Sequence, residues 1–208
     1  MRRFIAVLAV IALTGTIAFA NAEGAQFGIR AGFNMNKIST FDESDIDLDM
    51  GKSFGAGFLV KFPLTSQLSF VPEANFYYGE LGGFRMNFFG VDIRMAIKEV
   101  AVSVPIMFQL RPFENSSFYL ASGVQADIPL STKAVIKMSY AGESESESEN
   151  MDDRSSADIG IPLGIGFMIK PSWGVDFRYI INLTKPFDEE ENGKIKLARF
   201  GFGMTYLF

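Results

Sequence analysis

Three features of the sequence predict an all-β fold, an eight-stranded antiparallel up-and-down transmembrane β-barrel. Eight segments alternate apolar residues with small or polar ones at period two, the period of a strand. Each is about the 9 to 11 residues that a tilted strand needs to cross a bilayer. The segments are joined alternately by long polar connections and by short turns, the arrangement of a barrel with outer loops and periplasmic turns. Finally, the face opposite the apolar stripe is repeatedly glycine, among 20 glycines in 208 residues, which suits the narrow interior of eight strands.

The chain opens with Arg2 and Arg3, an apolar run over 4–13, and the small-residue tripeptide Ala20-Asn21-Ala22. This is the charged, apolar and cleavage-site order of a secretory signal peptide. The reading assigns residues 1–22 to a signal peptide cleaved near Ala22 and 23–208 to the barrel. No later segment approaches the roughly 18 consecutive apolar residues of a transmembrane helix.

Strand one sets Phe27, Ile29, Ala31, Phe33 and Met35 against Gly28, Arg30, Gly32 and Asn34. Strand two sets Phe54, Phe58 and Val60 against Gly55, Gly57, Leu59 and Lys61. Strand three, near 67–78, opposes Phe70, Phe76 and Tyr78 to Ser69, Glu73 and Asn75; strand four, near 98–111, opposes Val100, Val102 and Val104 to Glu99, Ser103 and Arg111. Strand five pairs Phe118, Leu120 and Val124 with Tyr119, Gly123 and Asp127; strand six pairs Ile159, Leu163 and Ile165 with Gly160, Gly164 and Gly166. Strand seven opposes Trp173, Val175, Phe177 and Tyr179 to Gly174, Asp176 and Arg178; strand eight opposes Phe200, Phe202, Met204 and Tyr206 to Arg199, Gly201 and Gly203. Long connections fall at 37–52, 79–97, 129–158 and 185–194. Short ones fall at 63–66, 112–117 and 170–172. Pro72, Pro105 and Pro162 lie inside strands, where the missing N–H predicts bulges.

A soluble sandwich would alternate as well, but its polar face meets water and has room for bulky side chains. Here that face is glycine-rich, and the apolar face is almost free of charge, as a lipid-facing surface must be because midplane charges cost about 2–4 kcal/mol.

The inward positions carry Arg30, Lys61, Arg111, Arg178 and Arg199 against Glu73, Asp127 and Asp176. Buried charges are tolerated when paired and hydrogen-bonded. The sequence therefore predicts a lumen charge network that plugs the barrel, centred on Glu73 facing Arg30 or Arg178, all near mid-strand.

Composition narrows the chemistry. With neither histidine nor cysteine, the chain has no Ser-His-Asp or Cys-His nucleophile, no usual zinc site and no haem ligated by either residue. No catalytic residue, cofactor or metal ligand is assigned. A formal charge of −5 argues against a nucleic-acid partner. The run GESESESENMDDR, with Glu143, Glu145, Glu147, Glu149, Asp152 and Asp153, reads as a solvated loop. Asp45, Asp47 and Asp49 start like an EF-hand, but Met50 stands where glycine is needed and Ala56 where glutamate is needed.

The closing RFGFGMTYLF resembles the signature that outer-membrane proteins present to their assembly machinery. The resemblance implies that Phe202, Tyr206 and Phe208 face lipid and mark the strand for assembly. The ordered set FGIRAGFN, LTSQLSFVPEANFYY, EVAVSVPIMFQLRP, SSFYLASGVQADIPL and SADIGIPLGIGFMI, followed by that strand, resembles the PorT-like family of small outer-membrane β-barrels over nearly the whole mature chain. The resemblance implies a cell outer-membrane location, with lipid and the barrel-assembly machinery as partners. The functional expectation is a non-enzymatic structural or interaction barrel. Its candidate surface or secretion contacts lie in 37–52, 79–97, 129–158 and 185–194. The alternatives are a narrow pore for small solutes or ions, or an accessory component of a protein-secretion system.

Overall fold

The computed structural model describes residues 24–39, 48–88, 90–140, 143–151, 157–184 and 196–208. The proposed signal peptide and the 185–194 connection lie outside them, as do 40–47 and 152–156. Among the described residues nine strands run in order: β1 (Gln26–Ser39), β2 (Leu48–Pro63), β3 (Leu68–Phe88), β4 (Val91–Leu110), β5 (Phe118–Tyr140), β6 (Glu143–Asn150), β7 (Asp158–Lys170), β8 (Trp173–Asn182) and β9 (Lys196–Leu207). Eight of them close into an antiparallel ring, β1-β2-β3-β4-β5-β7-β8-β9, and among the described residues β6 pairs with β5 alone.

Ring closure can be followed residue by residue. From Ser69 the paired neighbours are Gln109, Ala121, Gly164, Arg178, Gly201, Asn34, Ser53 and then Gly79, so one circuit advances β3 by ten residues. With about 3.3 Å per residue and about 4.8 Å between strands, that stagger over eight strands tilts them about 40° from the axis. Every residue on the circuit belongs to the face that the alternation assigns to the lumen.

The two faces differ as solvent and core do. Outward side chains such as Phe54 (65%), Phe58 (72%) and Phe202 (55%) are bare, while inward Met107, Val71, Ser103, Pro105 and Pro162 are fully buried. Aromatic pairs line the outer surface towards the short-turn end, among them Phe70–Phe108 at 5.4 Å and Trp173–Tyr206 at 4.8 Å between ring centroids. Phe33–Phe54 at 5.0 Å and Tyr179–Phe200 at 4.9 Å lie nearer the other end. These are the interfacial girdles expected of a membrane barrel.

Several expectations are corrected. The supposed long loops 79–97 and 129–158 are largely strand. Past a one-residue shift at Glu80/Gly82, β3 and β4 pair without a gap up to Phe88↔Val91, where Gly90 at φ 81° turns the hairpin. β5 runs to Tyr140 and folds back as β6, so the acidic run 143–150 is a strand and not an irregular loop. Its strict Glu/Ser alternation puts Glu145, Glu147 and Glu149 on one face, exposed, while β5 pairs with the backbone from Tyr140↔Glu143 to Lys133↔Asn150.

The prolines do not produce bulges either. Register shifts fall at Glu80/Gly82, Val100/Ala101 and Met168/Lys170. Pro72 pairs with Ile106, Pro105 with Gln125 and Pro162 with Ile180 in unbroken register. They do interrupt local pairing: the β3–β4 ladder skips Glu73 and Ala74, opposite Pro105 and Val104, and the β5–β7 ladder skips Gly123 and Val124, opposite Pro162 and Ile161, each resuming in the same register.

Candidate functional site

The lumen is layered. Towards the short-turn end, Leu59, Val71 and Leu207 form one apolar cluster and Met107, Tyr119 and Ala121 another, with Met168 packed against both. Towards the other end Leu81 and Leu197 cluster, with Ile97 against them. Between these layers sits the charge.

Glu73 of β3 accepts two hydrogen bonds from Arg178 of β8, from Nη1 at 2.9 Å and Nη2 at 2.7 Å. Arg178 also donates through Nε to Asp176 Oδ1 at 2.7 Å, and Arg30 of β1 donates through Nη2 to the same oxygen at 2.7 Å. Asn75 donates to Glu73 Oε2 at 3.1 Å, and Arg30 Nη1 lies 3.4 Å from the Tyr77 hydroxyl. Two guanidiniums and two carboxylates thus form a neutral chain that ties β1, β8 and β3 across the barrel. All four side chains are almost wholly buried. Bidentate geometry and extra donors are what make buried ion pairs tolerable.

Glycine makes this chain sterically feasible. Arg30 reaches Asp176 by passing over β9, where Gly203 lies beside both Asp176 and Gly32 in the sheet. A Cβ at position 203 would collide with the Arg30 guanidinium. Gly55 likewise lies under the Tyr77 ring.

A second group lies above. Arg199 donates to Asp127 Oδ2 at 2.6 Å, and Gln125 donates to both oxygens of that carboxylate at 2.9 and 3.0 Å. Thr132 donates to Glu99 at 3.3 Å. A cavity of about 20 Å³ adjoins Arg199, Asp127, Asn34, Asn36, Ser53 and Tyr77, room for about one water molecule.

The structure therefore joins Arg30, Glu73, Asp176 and Arg178 in one group and Asp127 with Arg199 in another. Lys61 and Arg111 join neither. Lys61 is buried near the foot of β2, where its sheet neighbour on β1 is Gln26, and Arg111 lies just past the end of β4. Among the described residues no carboxylate pairs with either. Sequence reasoning missed Tyr77, Asn75 and Gln125 as network partners and the apolar layers altogether. Their signal is phase: Val71, Met107 and Met168 occupy the same alternate positions as the lumen glycines. Among the described residues no three acidic side chains converge as a metal site would require.

Phe202, Tyr206 and Phe208 lie on the outer surface of the closing strand. Tyr206 is sandwiched between Trp173 and Phe208, whose ring centroid is 5.2 Å away.

The profile of the family described as "Outer membrane protein beta-barrel domain" matches residues 19–188. The chain belongs to that family. Membership places the protein in the cell outer membrane, where the bare apolar belt meets lipid. A search of curated proteins finds no match. Among solved structures, Neisserial surface protein A is similar at 13% identity and TM-score 0.47, over 89% of this chain and 100% of that one. Ail of Yersinia pestis, solved with the heparin analogue sucrose octasulfate, gives 17% identity and TM-score 0.48 over 89% and 100%. CarO2 of Acinetobacter baumannii gives 11% and 0.43 over 87% and 99%.

Proposed function

We propose that this member of the family is a non-enzymatic structural or interaction barrel, closed by its own side chains, that works through the strand extensions outside the membrane. The observation that carries this reading is the Arg30–Asp176–Arg178–Glu73 chain, which spans the lumen with every member buried and paired. An ion path needs mobile charges and water around them, whereas these groups are spent on one another, and apolar layers lie above and below. Eight strands enclose only enough space for side chains, while open porins use 16 or more. The absence of histidine and cysteine from the sequence supports the non-enzymatic part, because it removes the Ser-His and Cys-His nucleophiles.

The order of sequence segments supports a place among the PorT-like barrels. The secretion role of that group's name-giving member needs site residues that the resemblance does not supply. Phe202, Tyr206 and Phe208 are the proposed recognition positions for the assembly machinery. The test is electrical. Purified protein in planar bilayers should show no steady conductance, and large stable single-channel currents would turn the reading to solute diffusion.

A further inference from the structure

Above the apolar belt, the outward face of β3, β4 and β5 changes character. The row Tyr78↔Val100↔Ser131 is followed by Glu80↔Lys98↔Lys133 and, two rows further, by Arg85↔Arg94↔Lys137. Directly opposed like charges destabilise a sheet, yet here Lys98 faces Lys133, and Arg94 stands between Arg85 and Lys137. Arg85 pairs with Asp92 at 3.2 Å, and Arg94 with Glu80 at 3.2 Å and with Asp49 at 3.9 Å, so the five cations of these rows outnumber their three carboxylates. Among the described residues Lys98, Lys133 and Lys137 form no ion pair, and Glu80, the sheet neighbour of Lys98, turns its carboxylate to Arg94. The Glu145, Glu147 and Glu149 stripe of β6 does not help, because those residues pair with Met138, Ile136 and Ala134 on the opposite face.

We propose that Lys98, Lys133 and Lys137, with Arg94, bind the phosphate groups of lipid head groups in the outer leaflet around the barrel. Position selects this ligand. Tyr78, outward and exposed, marks the interface, and Lys98 lies two residues beyond Val100, about 7 Å further along the strand, at head-group depth. Adjacent cations facing away from the barrel axis suit a multiply charged anion that bridges them, and each basic residue near an anionic lipid surface adds attraction. The inference rests on reading the extensions as contact surfaces. It is independent of whether the lumen conducts.

The full-length barrel in nanodiscs of phosphatidylcholine with a minor fraction of bisphosphorylated lipid A is the test. Native mass spectrometry after mild detergent extraction counts the lipid A retained. The triple substitution Lys98→Gln/Lys133→Gln/Lys137→Gln should lower retention about tenfold or more. The corresponding lysine-to-arginine triple, and Lys170→Gln near the periplasmic end, should retain it. Should the triple glutamine variant fail to give the heat-modifiable folded band, Lys133→Gln alone should still show a severalfold loss. Equal retention by the glutamine variants would overturn the proposal. So would equal retention of dephosphorylated lipid A, or displacement by inorganic phosphate at concentrations matched to the lipid, which would mark a site for a free anion.

Discussion

Within the membrane and above it, the same three strands obey opposite rules. Along β4 the outward residues Ile106, Val104, Val102 and Val100 are apolar, while inward Ser103 and Glu99 are polar and buried. Past the rim the outward positions become Lys98, Ala96, Arg94 and Asp92, three of them charged, and the inward ones become Ile97, Met95 and Ile93. β5 does the same, with Lys133 and Lys137 outward and Ala134, Ile136 and Met138 on the other face. The backbone continues unbroken while the solvent changes from hydrocarbon to water. Side-chain polarity follows the medium on each face, and pairing follows only the need to satisfy N–H and C=O groups.

That contrast is broken most severely from inside the membrane span. Glu73→Ala strips both Nη groups of Arg178 of their carboxylate, leaves Arg178 and Arg30 to share Asp176 as the only anion of the group, and should cost about 3–5 kcal/mol, read from urea titration of the heat-modifiable folded form. Next comes the lipid face. Arg in place of Phe58, in mid-β2, should cost about 2–4 kcal/mol at that depth. The same residue in place of Ile136, on the extension, should stay within about 0.5 kcal/mol, as surface substitutions do. Equal costs at the two sites would erase the distinction between the regions.

Gly203→Ala sharpens the lumen side. Its methyl group would press on the Arg30 guanidinium against Asp176 and should cost about 1–3 kcal/mol, the usual penalty of overpacking. The smallest expected effect is on stability by cysteine at Ser146 of β6 or at Ser116 in the β4–β5 turn, which should leave folding unchanged. With no native cysteine in the chain, only Ser146→Cys should react with an impermeant reagent on whole cells, and the reverse pattern would invert the topology.

The ring of eight strands and the side each residue faces were legible because the bilayer enforces alternation wherever one face meets hydrocarbon. Arg30, Glu73, Asp127, Asp176, Arg178 and Arg199 could be assigned to the lumen for the same reason. Their partners could be narrowed but not assigned. Glu73 takes Arg178, while Arg30 goes to Asp176, a choice fixed by the ten-residue stagger, which no single strand displays. The extensions were hidden because above the rim the alternation inverts and a charged face reads as a loop. Lys61 and Arg111 share the inward phase with the network but sit too low to reach it, and phase alone carries no height.

On the proposed reading, the buried Arg178–Glu73 pair ties β8 to β3 across the lumen and holds the barrel closed. A double-mutant cycle with Glu73→Met, Arg178→Met and both together isolates that pair by the stability of the folded barrel in urea. The account predicts that each single substitution is strongly destabilising and that the double is milder than their sum by at least about 2 kcal/mol, because removing both charges leaves neither orphaned. Additive losses would contradict it and reduce the network to independent contacts.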